Sequence, residues 1–154
     1  MSATKQDESI DQVVGRDKAC QILKAAFEKA PIRKAFGMNI RFDEEYRAIF
    51  DLPYNPTFNH GLGGIHGGVF AMLLDNAGWF TAAVHYGTWL GTVEFTTRLL
   101  EPVTGEDLQA IGHLVRAGKK LAVCNMEIRA AGGRLVAVGS GTFAVTSKSL
   151  DLLL

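Results

Sequence analysis

Asn59-His-Gly-Leu-Gly-Gly-Ile-His-Gly-Gly68, continued by Val69-Phe-Ala-Met-Leu-Leu-Asp-Asn-Ala-Gly-Trp79, reads as a glycine-rich loop running straight into a helix. From Val69 to Val84 almost every residue is apolar on all sides of the helical wheel, the pattern of a helix buried all round. Asp75 stands in the middle of it, where a carboxylate is costly unless it is paired, hydrogen-bonded or kept for chemistry. Gly67 and Gly68 fall in the first turn, where N–H groups lack intrahelical partners and the helix dipole is positive. Without side chains in the way, a carbonyl oxygen can approach there and be polarised as in an oxyanion hole. Asp75 comes eight residues after Gly67, which at about 1.5 Å per residue separates them by roughly 12 Å. If both act on one substrate, Gly67 must come from one chain and Asp75 from a second, with the site at a dimer interface.

Working outward, Ala19, Ile22, Leu23, Ala26 and Phe27 fall at helical spacing between about Arg16 and Ala30, ahead of Pro31. Asn39 to Phe42 and Tyr46 to Leu52 read as short strands, and Pro53, Asn55 and Pro56 break the chain into the glycine-rich loop. Tyr86-Gly87 marks the end of the central helix. Beyond it the period becomes two: Thr92, Glu94, Thr96 and Arg98 alternate with Val93, Phe95, Thr97 and Leu99. Strands follow at Leu108 to Arg116, Leu121 to Ala130 and Leu135 to Thr146, with turns at Ala117-Gly118-Lys119 and Gly132-Gly133. A sheet with one apolar face needs a cover, and one long apolar helix is at hand. The reading is an α+β fold, a curved antiparallel sheet wrapped around one long central helix, with an N-terminal helix. Residues 1–15 are expected to be a disordered tail, 16–148 a single domain, and 149–154 a tail that packs on a neighbour or frays.

The composition narrows the function classes. Sixteen Lys and Arg balance 16 Asp and Glu, so no bulk basic field favours nucleic acid. Cys20 and Cys124 lack CxxC spacing and fit a reduced, cytoplasmic chain. No uninterrupted apolar run reaches membrane-spanning length, and His85 and His113 have no partners at metal-ligand spacing. No membrane, metal or nucleic-acid partner is expected.

His66-Gly67-Gly68 opening the helix, Asp75 nine residues after His66, and a last strand carrying Gly139-Ser-Gly-Thr-Phe-Ala-Val145 resemble a hotdog-fold acyl-CoA thioesterase of the phenylacetate-pathway (PaaI-like) type. The resemblance spans roughly Ala30 to Thr146. It implies a homodimer with its two helices side by side under a continuous sheet, paired again into a tetramer. Coenzyme A enters as part of the substrate, and no cofactor is implied. The N–H matching Gly67 would hold the thioester carbonyl, and the carboxylate matching Asp75, from the other subunit, would act as base or nucleophile. Thr92 matches a strand hydroxyl that helps position the attacking water. One position departs from the pattern. Six residues before the motif histidine the family often has an asparagine or glutamine whose amide donates to the carbonyl; here that position is His60, with Asn59 beside it. Either His60 replaces the amide or a shifted loop gives the task to Asn59.

Plainer roles stand beside these. Asp75 can be a structural residue, His66 an orderer of the loop, and Gly67-Gly68 a packing point. Trp79 and Phe80 can be core or acyl-pocket wall, and Thr92 a simple β-branched strand residue. Arg116, Lys119 and Lys120 form a basic hairpin that is either solvated or set against the phosphates of coenzyme A. At the level of function the alternative is a non-catalytic acyl-CoA binding or sensing module, for which a buried charge opposite a carbonyl site has no use. A hydratase would call for a histidine a few residues downstream of the aspartate, a pattern missing after Asp75.

Overall fold

A computed structural model describes residues 14–154. The elements are α1 (Arg16–Lys29), α2 (Pro31–Phe36), β1 (Asn39–Phe42), β2 (Ala48–Leu52), α3 (Gly67–Tyr86), β3 (Thr88–Leu99), β4 (Leu108–Ala117), β5 (Leu121–Arg129) and β6 (Leu135–Ser149). The strands form one antiparallel sheet in the order β1-β2-β4-β5-β6-β3. α3 packs across β2 to β6 and fills the concave side, the helix-wrapped α+β architecture read from the sequence.

Small residues allow the helix to lie that close. A Cβ on Gly112 of β4 would stand 2.1 Å from the Ala77 carbonyl oxygen, and one on Gly78 would stand 2.8 Å from Met126 Sδ. Only glycine fits at position 112, against backbone, while a side chain at 78 would force Met126 and Phe143 to shift. Thr81, the single buried polar residue among the described residues, is satisfied twice: its hydroxyl donates to Ala77 O at 2.8 Å and accepts from Ala48 N at 2.9 Å. The helix therefore meets β2 through a hydrogen bond as well as through apolar contact.

α3 begins at Gly67, two residues before the apolar run, because the His66 side chain caps its first turn. Gly87 closes it in the left-handed region at φ 64°, so β3 begins at once with Thr88. α2 was not expected. Pro31 ends α1 but also starts this short helix at its N1 position, and Gly37 at φ 68° stops it.

Two stretches differ from the sequence reading in where their apolar side chains lie. β3 is an edge strand, and its alternating Val93, Phe95 and Leu99 are 58%, 36% and 52% exposed instead of being covered by the chain's own helix. The expectation for residues 149–154 is a tail that packs on a neighbour or frays. Instead, Leu150–Leu153 form a 3-10 turn against α1 of the same chain, with Leu150 fully buried. Most of the expected N-terminal tail lies outside the described residues; Val14 packs on the core beside Gly87. Among the described residues, no helix is long and apolar enough to cross a membrane.

Candidate active site

The glycine-rich loop is a compact hairpin pinned at both ends. Asn59 and Ile65 bridge its base, His60 N donates to Gly64 O at 2.9 Å, and Gly63 N donates to His60 O at 2.9 Å. Ile65 N then donates to Val103 O at 2.8 Å and His66 N to Phe58 O at 2.9 Å, which fixes how the chain enters α3. His66 Nδ1 accepts from Gly68 N at 2.9 Å. That bond uses the Gly68 donor internally and leaves the Gly67 N–H, first in the helix, for an acceptor from outside. His66 accordingly orders the helix entrance.

His60 and Gly67 line a common cavity of about 330 Å³, together with Gly64, Phe70, Leu99 and Val103. His60 Nδ1 accepts from Leu62 N at 3.1 Å, so in the neutral ring the proton sits on Nε2. Nε2 is thereby a donor. The ring rests on Gly64, where an added Cβ would stand 2.9 Å from Nε2, while a Cβ on Gly67 would meet Leu99 Cδ1 at 3.0 Å. A side chain at either position would have to push the His60 ring or Leu99 aside.

Asp75 belongs to a different cavity, of about 500 Å³, whose walls include Asn76, Trp79, Phe80, Trp89 and Thr92. It is half-buried, and Thr92 Oγ1 donates to its Oδ1 at 3.1 Å. Burial pushes its pKa above the ordinary 3.8, and the Thr92 hydroxyl, which favours the charged form, offsets part of that rise. Trp79 is both core and cavity wall. Its indole donates to Leu90 O at 2.8 Å, and its ring meets Trp89 edge-on with centroids 4.8 Å apart.

One chain thus brings Gly67, Gly68, His60 and His66 together at the start of α3, and Asp75, Thr92 and Trp79 together in its middle. The remaining candidates lie elsewhere. Asn59 turns away from the Gly67 cavity, its Nδ2 donating to Tyr54 OH at 2.8 Å, so the hairpin presents His60 and not Asn59 to that space. Arg116, Lys119 and Lys120 are exposed at the β4–β5 hairpin, which is fastened to the far end of α3 by Tyr86 OH donating to Gly118 O at 2.7 Å. Sequence reasoning missed Gly64, Leu99 and Trp89. Gly64 carried a signal, as a glycine four residues after His60; Leu99 and Trp89 reach their cavities only through the register of β3, which periodicity does not reveal. Among the described residues, no group of three or more His, Cys, Asp or Glu is placed to hold a metal ion.

The chain as a whole is similar to known proteins. A thioesterase superfamily model matches residues 62–137, which contain the helix entrance, Asp75 and Thr92. A protein of Saccharolobus solfataricus, provisionally named an esterase, is 27% identical over 125 residues, covering 80% of this chain and 89% of its own. The Escherichia coli PaaI protein from the phenylacetic acid degradation operon superposes with a TM-score of 0.80 at 25% identity, covering 88% of this chain and 99% of that one. A Bacillus halodurans protein solved with CoA gives a TM-score of 0.71 at 27% identity, covering 84% of this chain and 89% of that one.

Proposed function

This chain is a PaaI-like hotdog-fold protein of the thioesterase type, and from that premise we propose that it hydrolyses acyl-CoA thioesters at sites shared between two copies of itself. The observation that carries this reading is the placement of a donor set and a carboxylate at two levels of one helix. His60 and Gly67 line one cavity, and Asp75 with Thr92 lines another. Two α3 helices running antiparallel would bring the first level of one chain beside the second level of the other. The exposed apolar row on the edge strand β3 supports such a partner, since an uncovered edge of this length is a ready pairing surface.

In the shared site the thioester carbonyl oxygen accepts from Gly67 N–H and from His60 Nε2–H. Both donors strengthen as negative charge grows on that oxygen. Asp75 of the other chain, ionised, takes a proton from water as the water oxygen bonds to the carbonyl carbon. The Thr92 hydroxyl holds one carboxylate oxygen and leaves the second free for the water. Collapse of the tetrahedral intermediate breaks the C–S bond. The proton held by Asp75 passes to the departing sulfur, releasing free acid and coenzyme A. The same carboxylate could instead attack the carbon directly, giving an anhydride that water then opens; oxygen-18 from solvent would enter Asp75 in a single turnover only by that route.

A panel of short, medium, branched and aromatic acyl-CoAs, read by release of free thiol, tests the proposal. Turnover on at least one member, abolished in Asp75→Asn, is the expected result. Binding of acyl-CoA with no thiol release would overturn it in favour of a binding or sensing module.

A further inference from the structure

The Asp75 cavity is walled well beyond the carboxylate. Four and five residues on from Asp75, about 6 to 7.5 Å along α3, Trp79 and Phe80 continue the wall, and β3 adds Trp89 and Leu90. The rest comes from outside the sheet-and-helix core: Leu23, Ala26 and Phe27 of α1, Ala30 at the junction of α1 and α2, Ile32 of α2, and Leu153 of the 3-10 turn after β6. Phe27 meets Phe80 edge-on at 5.5 Å, so α1 is seated on the same aromatic cluster that lines the space.

Two details show how the space is kept open. Ala26, in the last turn of α1, and Ala30, which caps that helix in an extended conformation, both line the cavity, where larger side chains would fill it. Leu153 is held at the wall by its own turn. Leu150 is fully buried, Ser149 Oγ accepts from Asp151 N at 3.2 Å, and Lys29 Nζ of α1 reaches Leu154 O at 3.5 Å. The position of Leu153 is thus fixed from both sides of it in sequence.

We infer that α1 and the 3-10 turn after β6 limit the acyl group, with Ala26 and Leu153 as the residues that set the length of chain accepted. This rests on the reading of Asp75 as the hydrolytic carboxylate, because it places the thioester at the polar end of this cavity and the acyl chain along its apolar length. About 500 Å³ is within the range of small-ligand pockets, so the walls and not the volume alone decide what fits. Leu153→Ala lengthens the space, and Ala26→Phe blocks it.

The test is a ladder of butyryl-, hexanoyl-, octanoyl- and decanoyl-CoA, measured as kcat/KM in the otherwise native chain and as Kd in the Asp75→Asn background, where the ligand survives. Ala26→Phe should lower the octanoyl-to-butyryl ratio by about 10-fold or more, the scale on which pockets discriminate methylenes. Leu153→Ala should raise the decanoyl-to-butyryl ratio and does not depend on Ala26→Phe folding. Ratios unchanged in both folded variants would overturn the inference. Kd ratios that shift while no chain hydrolyses any member would uphold the wall and sink the hydrolytic reading. A chain that neither binds nor hydrolyses the ladder sinks both.

Discussion

Thr92 Oγ1 donates to Asp75 Oδ1 across 3.1 Å, joining the edge strand to the middle of the buried helix, and it is the one side-chain hydrogen bond of Asp75 among the described residues. Without it, burial acts on the carboxylate unopposed. Thr92→Val keeps the shape and removes the hydroxyl, and should lower kcat/KM by about 10- to 100-fold, the scale of a hydrogen bond to a charged group. Thr92→Ser should restore most of it. Thr92 acts here as a positioning residue, so the pH profile is the sharper readout. The acid limb should move to higher pH in Thr92→Val; a limb that stays in place with rate unchanged would detach Thr92 from the carboxylate's function.

Asp75→Asn should divide activity from stability. Removing the carboxylate should cost a factor on the order of 10² or more in kcat while the fold persists, since amide and carboxylate are nearly isosteric. Stability should move the other way. Folding raises the Asp75 pKa above 3.8, so the folded chain binds this proton more readily than the unfolded one. Its stabilising contribution is complete below the unfolded pKa and is lost as pH rises through the folded value. The uncharged amide escapes that loss. Denaturant midpoints of the two proteins should therefore converge below about pH 3.8 and separate in favour of Asp75→Asn towards pH 7. A variant less stable at pH 7 with a constant gap would mean that the ionised carboxylate is held more favourably than burial implies.

The central helix was legible because its signal is local: sixteen residues from Val69 to Val84 that are apolar all round, one charge within them, and glycines at the entry. Three of the long strands, β4, β5 and β6, were legible because they alternate and meet at glycine-bearing turns, and β3 because its period-two alternation begins straight after Gly87. What stayed hidden depends on tertiary position. Val93, Phe95 and Leu99 have the alternation of a covered strand, and only the strand order shows that β3 is an edge whose row is open. The roles of His60 and Asn59 could not be separated in sequence, since which one faces Gly67 depends on the Asn59–Ile65 bridge and on Tyr54, five residues upstream, taking the Asn59 amide. Leu153 reaches the Asp75 cavity across more than 70 positions in sequence. No local pattern encodes such a contact.

His60 should be replaceable by a donor and not by a hole. His60→Asn can still present an N–H to the carbonyl, whereas His60→Ala cannot, so the first should retain substantial activity and the second should lose about 10-fold or more. Gly64→Ala provides a second check, at a residue with no side chain of its own that packs against the His60 ring. Its Cβ would stand 2.9 Å from His60 Nε2 and must displace the ring. It should therefore resemble His60→Ala in rate, and adding it to His60→Ala should cost little more. Equal activity in His60→Asn and His60→Ala would remove His60 from the site.

The separation of roughly 12 Å along α3 between Gly67 and Asp75 can be tested by complementation. One inactive chain carries Asp75→Asn; the other carries Gly67→Val, whose side chain would meet Leu99, 3.0 Å from an added Cβ, and obstruct the carbonyl's approach. In a mixed dimer one shared site holds both lesions, and the other joins an intact Gly67 from one chain to an intact Asp75 from its partner. After random exchange half the dimers are mixed, each with one good site in two, so activity should recover to about a quarter of the wild-type level if the lesions are complete and independent. Co-expression with two different tags and isolation of the doubly tagged dimer removes any dependence on exchange, and there the expected recovery is about half. Both parent variants must be shown to fold and to be inactive alone. A doubly tagged dimer that stays inactive under those conditions would overturn the shared-site reading, because each site would then carry one lesion, and the groups acting with Asp75 would have to be sought within its own chain, beside Asn76 and Thr92.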